Sequence, residues 1–362
     1  PNTSSNRYFS LSNNSWTAEQ GSASMTPAKG YIIGAPKSGT WPNGETVSFP
    51  YSQPVQFAGV PNNGHFEFAA EQNGNKNLIG NPYPSALDAD AFLDANSNVL
   101  GGTIYFWRNN TSPKFFKYIL DDYACYNALG GVAAAAAGEA SGGTNSTKPT
   151  GKIAAGQSFM TESIASGTVV FDNNMRLDGQ NSQFLKPGKT AKTASVEKHR
   201  FWLNLTSVLG GFEQILIGYA DGATNAYDNR FDARDWSGNS YTSFYSVNQN
   251  DKLTIQGRAL PFDNTDVVPL GYRSLLGGYF TIALDSADGL FAEQPVYLED
   301  KKLKVFHNLK DGAYNFVSFM GTYDYCFAIH YSSGNTGKPA REGNAAVLEN
   351  QVLVSAENNQ IN

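Results

Sequence analysis

Charge is the first thing this 362-residue sequence is short of. Asp, Glu, Lys and Arg make up 16% of it, against roughly 25% in an average soluble protein. The balance that exists is acidic, −6 at pH 7. Nucleic acid and anionic membrane surfaces both require a basic footprint, so neither is expected as a partner. Cysteine occurs twice, too seldom for a disulfide scaffold. Neither Cys125 nor Cys326 sits in a CxxC pair or beside a histidine, which speaks against metal and redox roles. Two free buried thiols are the expectation; an inter-domain bridge is the alternative that an oxidising surface permits. The four histidines (His65, His199, His307, His330) are scattered and fit no HExxH, HxxE or HxH pattern, so zinc has no basis. No apolar run reaches the roughly 18 residues of a membrane span. Helical periodicity is nearly missing too. The one candidate is Ser85 to Asn96, with Ser85 as N-cap and Leu87, Ala91, Phe92 and Ala95 along one face.

Aromatic and turn-forming residues are what the chain has instead. Aromatics reach 13% and there are 36 glycines, the materials of pleated faces and tight turns. Short alternating runs recur, among them Thr103 to Trp107, Thr168 to Phe171, Phe201 to Leu205, Gln214 to Tyr219, Leu253 to Gln256, Tyr279 to Leu284 and Tyr325 to Tyr331. Gly, Asn, Asp and Pro punctuate them, which predicts an all-β chain. Leu78-Ile79-Gly80 and Leu216-Ile217-Gly218 each lead through an Asp-bearing loop to a Phe and an aromatic strand, and later to a Gly-centred strand (Gly156, Gly257). This self-similarity predicts two tandem antiparallel β-sandwich domains of jelly-roll or Ig-like type, with one short helix and long loops. The expected division is domain 1 over 1–180 with a low-complexity insertion at about 126–150, a linker at 181–197, domain 2 over 198–333, a linker at 334–350, and a further start at 351–362.

Motifs for catalysis are poorly supported. Gly156-Gln157-Ser158-Phe159-Met160 opens like a nucleophile elbow but lacks the closing Gly and the strand-to-helix setting, so Ser158 reads as a strand residue. No Walker loop or dinucleotide fingerprint is present, and no carboxylate pair stands out for glycoside hydrolysis. The chain is therefore expected not to be an enzyme. Two acidic clusters, Asp88/Asp90/Asp94 and Asp221/Asp228/Asp232/Asp235, invite calcium as the only ion worth weighing. Neither has an EF-hand pattern, and Asx turns and helix caps are the favoured use of these carboxylates, so no cofactor or metal is assigned. Among the tryptophans, Trp107 and Trp202 lie in strands and are expected in the core. Trp236, in a turn, and Trp41 are the candidate ligand-binding residues, as aromatic platforms for sugars.

Several segments also match a known architecture. Asn77 to Phe92, Gly102 to Trp107, Gly151 to Met160, Lys198 to Leu205, Leu253 to Phe262 and Val296 to Asp300 follow one another in an order that resembles the β-rich region just upstream of the sorting domain in large flavobacterial surface proteins. Val352-Leu353-Val354-Ser355 through Asn358 to Ile361 resembles the V-x-V-S-x-x-N-x-x-I opening of the C-terminal sorting domain of Bacteroidetes type 9 secretion cargo. The resemblance covers most of residues 25 to 362; Cys125, Cys326 and the Ala/Gly tract at 130–143 fall outside it. It implies an exported, extracellular or cell-surface chain, with the type 9 machinery as partner during export. Other surface domains or surface glycans are the partners implied afterwards. Residue 1 is Pro without a preceding Met, so an internal cut that removed an upstream signal is expected. Asp285-Ser286-Ala287 resembles the Asp-Ser/Thr-apolar site that these bacteria O-glycosylate, which makes Ser286 a candidate. The expected function is a non-catalytic structural or adhesive stalk module. The alternatives are a carbohydrate-binding module of a larger secreted enzyme, or a chain that matters chiefly as transported cargo.

Overall fold

The computed structural model describes residues 7–34, 38–40, 44–48, 58–108, 122–134, 148–180, 196–236, 241–333, 356–357 and 360–361. Trp41, most of the expected 181–197 linker, the 334–350 linker and the central part of the low-complexity tract lie outside these residues. What is described is mostly β, with one short α-helix, as the composition predicts. Near the N-terminus, Tyr8–Ser12 and Ser15–Glu19 form a hairpin. Near the C-terminus, Ala356–Glu357 pairs antiparallel with Gln360–Ile361.

The first half holds β1 (Phe66–Ala69), β2 (Lys76–Gly80), β3 (Ala86–Asp88), α1 (Ala89–Ala95), β4 (Ile104–Trp107), β5 (Tyr123–Asn127), β6 (Gly130–Val132), β7 (Lys152–Ile153), β8 (Ser158–Glu162), β9 (Thr168–Phe171) and β10 (Arg176–Leu177). Five of these strands form a sheet in the order β6-β5-β4-β8-β2, and β7-β3-β10 and β9-β1 make two smaller ones. Successive side chains of a strand point to opposite faces, and here both faces are apolar. Ile79, Ile104, Phe106 and Phe159 enter one core with Leu87, Phe92 and Phe171. Their strand neighbours Leu78, Tyr105, Cys125 and Met160 enter another.

The helix begins later than its sequence pattern suggests. Ala86–Asp88 is held as a strand between β7 and β10, so Ser85 is no cap. Asp88 takes that role, its carboxylate accepting from Asp90 N at 2.9 Å and Ala91 N at 3.2 Å. At the other end Asn96 is buried and ties the helix to β9. Its amide donates to Phe92 O (2.8 Å) and Val170 O (3.0 Å), and its carbonyl accepts from Val170 N (2.7 Å).

The second half is one large sheet. It uses β11 (Lys198–Ser207), β12 (Phe212–Ala220), β13 (Ala233–Arg234), β14 (Thr242–Asn248), β15 (Asp251–Ala259), β16 (Val268–Ser274), β17 (Gly278–Asp288), β18 (Tyr297–Asp300), β19 (Val305–Asn308), β20 (Tyr314–Ser318) and β21 (Gly321–His330). The order is β19-β18-β21-β16-β14-β15-β12-β11-β17-β20, with β13 added beside β15. The ten-strand sheet curls until it is nearly closed. Tyr272 on β16 lies 5.5 Å from Phe316 on β20, a contact that a flat sheet would forbid because five strands stand between them. Phe316 and Phe327 meet at 5.1 Å, and Tyr314 Oη donates to Asp300 Oδ2 at 2.8 Å across the same gap. The interior is filled by Phe201, Leu203, Ile215, Ile217, Phe280 and Ile282, among others.

The halves are not strand-for-strand copies. In the first half the Leu78 strand runs antiparallel to the Ser158 strand. In the second the Leu216 strand runs parallel to β15, with Gly218 opposite Gly257, and it is the one parallel pair of the sheet among the described residues. Gly156 lies in a turn, whereas Gly257 is inside a strand. The shared Leu-Ile-Gly has a local cause. Each Gly is where another segment comes close: a Cβ on Gly80 would meet Lys29 O at 2.9 Å, and one on Gly218 would meet Arg200 Cγ at 2.9 Å.

Because all three polar atoms bonded by Asn96 are backbone atoms, the Asn96→Asp substitution turns a donor into a carboxylate facing two carbonyls. It should cost about 2–4 kcal/mol. Chemical denaturation of the two proteins checks this; a change below about 0.5 kcal/mol would show that the bonds are dispensable.

Candidate functional site

The most elaborated region is the junction where the five-strand sheet lies on the outer face of the rolled sheet. The two share an apolar core. Leu78, Tyr105, Cys125, Leu129, Val132 and Met160 come from the first half; Trp202, Leu216, Ala220, Phe231 and Ile255 come from the second. The β5–β6 hairpin forms the contact edge, and polar side chains of β11 and β12 bond its backbone. Trp202 Nε1 donates to Gly131 O (2.8 Å), Arg200 Nη1 to Leu129 O (2.8 Å) and Lys198 Nζ to Ala128 O. Ala133 N donates to Gln214 Oε1 at 3.0 Å. Gly130 and Gly131 permit this closeness: a Cβ on Gly130 would meet the Arg200 guanidinium at 2.8 Å, and one on Gly131 would meet the Pro149 backbone.

Two clefts open along this seam. One, with a cavity volume of about 30 Å³, is lined by Tyr105, Glu162, Tyr227, Asp232, Arg234 and Trp236. The other, with a cavity volume of about 270 Å³, is lined by Asp90, Asp94, Ser97, Ala128, Asn229 and Arg230. Gly102 and Asn229 line both, and the Gly102 backbone lies so near the Asn229 carbonyl that no side chain fits between them.

Trp236 is half-buried at this seam. Its ring stacks on Tyr105 with centroids 3.6 Å apart and planes 12° apart, and Lys76 Nζ lies 4.6 Å from its centroid. A ring so close to Tyr105 leaves only its opposite face for the ammonium, so both faces are occupied by this chain. Trp202 is buried and belongs to the shared core, as expected of a strand tryptophan. Trp107 is half-buried and stacked on Tyr123 at 6.4 Å. Ser286 sits on β17 opposite Trp202, beside a bulge that leaves Asp285 as the extra residue. Its hydroxyl accepts from Lys148 Nζ at 2.6 Å and donates to Asp285 Oδ2 at 3.0 Å.

Apart from Asp221, which is exposed, the acidic clusters are spent on turns, caps and cross-seam pairs. Asp232 is buried and accepts from Asp228 N (2.7 Å) and Gly257 N (2.8 Å). Asp228 accepts from Arg230 N (2.9 Å), and Asp235 from Ser243 Oγ (2.5 Å). Asp94 pairs with Arg230 across the seam at 3.1 Å, and Asp90 accepts from Tyr126 Oη at 3.1 Å. Burial raises the Asp232 carboxyl to about 7 against the pull of its two backbone donors. Burial raises Asp90 as well, opposed by Lys198 and Tyr126. Among the described residues, no three His, Cys, Asp or Glu side chains are placed to hold a metal ion.

The histidines share no common partner. His65 lies between Asp172 (2.9 Å) and Glu67 (3.2 Å), His330 lies beside Glu299 (2.9 Å), and His199 accepts from Leu290 N (3.1 Å). Ser158 begins strand β8, and its hydroxyl accepts from Tyr31 N at 3.3 Å. Both thiols are free. Burial pushes the Cys326 thiol up to about 12 and that of Cys125 higher still.

An acid whose folded pKa is raised binds its proton more tightly in the folded state. The Asp232 contribution is therefore largest below about 4, falls as pH rises toward 7, and is flat above. Asp232→Asn removes this dependence and one acceptor, so the variant should be less stable, by about 1–3 kcal/mol, at pH 5. The gap to wild type should narrow by pH 8. Melting temperatures across that range test it, and a gap independent of pH would rule it out. A second expectation concerns the seam. Cys125 should resist a thiol reagent in the native protein, and Trp202→Ala should speed its labelling by at least about tenfold by loosening the shared core. Equal labelling rates would mean the seam does not depend on Trp202.

No curated protein and no solved structure shows a significant match to this chain. A family-level match does exist and spans residues 1–331, so the chain belongs to the family described as a domain of unknown function (DUF8693).

Proposed function

We propose that this chain is a non-catalytic structural or adhesive module of an exported cell-surface protein, with two β units in tandem acting as a stiff spacer. The seam is the observation that carries the reading. A shared apolar core and several side-chain-to-backbone bonds hold the two units in one placement, which suits a part that transmits position or load. The use of the available chemistry supports it as well. Carboxylates cap turns, Cys125 is buried and Cys326 half-buried, and the histidines stand apart, so no nucleophile, base and orienting group come together in the described residues. Export by a type 9 route is inferred from the order of the segments from Asn77 to Asp300 and from the Val352 to Ile361 pattern, with the secretion machinery as transient partner. Surface glycans or other surface domains are the partners proposed for the exported form.

One observation favours the carbohydrate-binding alternative. The rim of the smaller cleft brings Tyr227 and the edge of Trp236 beside Arg234 and Glu162, a ring and charged hydrogen-bonding groups of the kind that contact polyhydroxylated ligands. A glycan array on the whole chain separates the two. The spacer reading expects no saturable binding. Saturable binding lost in Trp236→Ala, with the melting curve intact, would replace it with the carbohydrate reading. For export, a fluorescent reporter joined to the protein as its gene encodes it should reach the medium or surface of a type 9-secreting bacterium. Retention inside both the competent strain and a secretion-deficient one would sink the export proposal.

A further inference from the structure

Three short turns of the rolled sheet meet at one corner. They join β11 to β12, β16 to β17 and β20 to β21. Their sequences are Val208-Leu209-Gly210-Gly211, Leu275-Leu276-Gly277 and Phe319-Met320, without a single charge. Several contacts bring them together. Val208 N donates to Tyr279 O at 3.3 Å, and Gly211 lies against Leu276 and Thr242. Ser274 is paired with Gly321, and Gly278 with Ser318.

The tips point outward. Val208 is 73% exposed and Leu209 60%; Phe319 is 77% and Met320 71%. Tyr279 and Val317 form an exposed cross-strand pair on the adjoining outer face. One pair further along, Thr281 Oγ1 donates to Asn315 Oδ1 at 2.7 Å and the apolar surface ends. With Leu275 the corner displays seven apolar side chains, each 49% to 77% exposed. At about 150–250 Å² per large side chain, this amounts to something on the order of 800 Å². A monomer ordinarily leaves a few hundred Å² in one patch, and about 800 Å² is one partner's share of a standard interface. Beside the patch runs β20, the last strand of the sheet, which pairs only with β17 among the described residues.

We propose that this corner is a dimerisation surface whose occupant is a second copy of this chain. A two-fold interface brings a patch against itself, so the patch must complement itself. An uncharged apolar face does so, while the rest of a chain with net charge −6 repels its copy. A free strand edge adds the same property, because two antiparallel edges pair about a two-fold axis. A lipid surface is the competing occupant. The three turns carry no Lys or Arg to reach headgroups, which weighs against it.

Sedimentation velocity on the whole chain, up to about 100 µM, tests the proposal. A concentration-dependent dimer is expected. Phe319→Asp and Val317→Lys should each weaken it by at least about tenfold, the effect of charging a buried interface centre. Val60→Asp, at a position 92% exposed in the first half, should leave it unchanged. Unaltered melting curves for the corner variants establish that they fold. A monomer throughout the range overturns the proposal, as does a dimer indifferent to both corner variants. Flotation of a monomeric chain with neutral phosphatidylcholine vesicles, lost in Phe319→Asp, would overturn it in favour of lipid.

Discussion

A β-sheet that is apolar on both faces cannot leave either one in water, and the architecture of this chain follows from that constraint. Strands β2, β4, β5 and β8 alternate in the usual way, yet both sets of side chains are hydrophobic. Phe106 and Phe159 find a core within the first half. Tyr105 and Met160 have none there, and the rolled sheet supplies it with Trp202, Leu216 and Ile255. Burying large apolar groups stabilises by about 1.5–3 kcal/mol for each side chain, so this seam outweighs any single polar contact across it. The polar contacts serve another purpose: Trp202 Nε1 and Arg200 Nη1 bond particular carbonyls of the β5–β6 hairpin, which fixes the register of the two units.

Much of the strand content was legible because period-two alternation announces a half-buried face. Thr168 to Phe171 is the clearest case, with Val169 and Phe171 buried and Val170 turned outward. The long strands of the rolled sheet were also visible, from Phe201 to Leu205 through Tyr325 to Tyr331. Pairing was not, since neighbours are chosen by side chains far apart in sequence. The Leu-Ile-Gly similarity suggested a repeat and instead reflects two unrelated close approaches at Gly80 and Gly218. The seam was the least visible part. Its hairpin lies at the start of an Ala/Gly tract whose composition reads as low complexity. Gly130 and Gly131 are there because Arg200, Leu216 and Pro149 leave no space for a side chain, and nothing local in the sequence reveals that.

The scarcity of charge has a counterpart in how the remaining charges are used. Asp88 caps a helix, Asp232 gathers two backbone N–H groups, and Asp94 reaches Arg230 on the other unit. Asp88 and Asp232 satisfy backbone donors that would otherwise be left without partners, and Asp94 ties the two units by an ion pair. The acidic clusters that first suggested an ion are thus the hydrogen-bonding acceptors of a chain whose connections are numerous and tight.

The position of β21 sets a condition on when the rolled sheet can exist at all. This strand, Gly321–His330, lies between β16 and β18, and it alone joins β18 and β19 to the rest of the sheet. During synthesis every other strand of the rolled sheet emerges before the piece that unites it. Until then the sheet ends at β16, β18 and β19 have no place in it, and Phe327 and Ile329 are missing from its interior. The β18–β19 pair, made earlier in the sequence, must therefore wait beside an unfinished sheet until the last strand is in place.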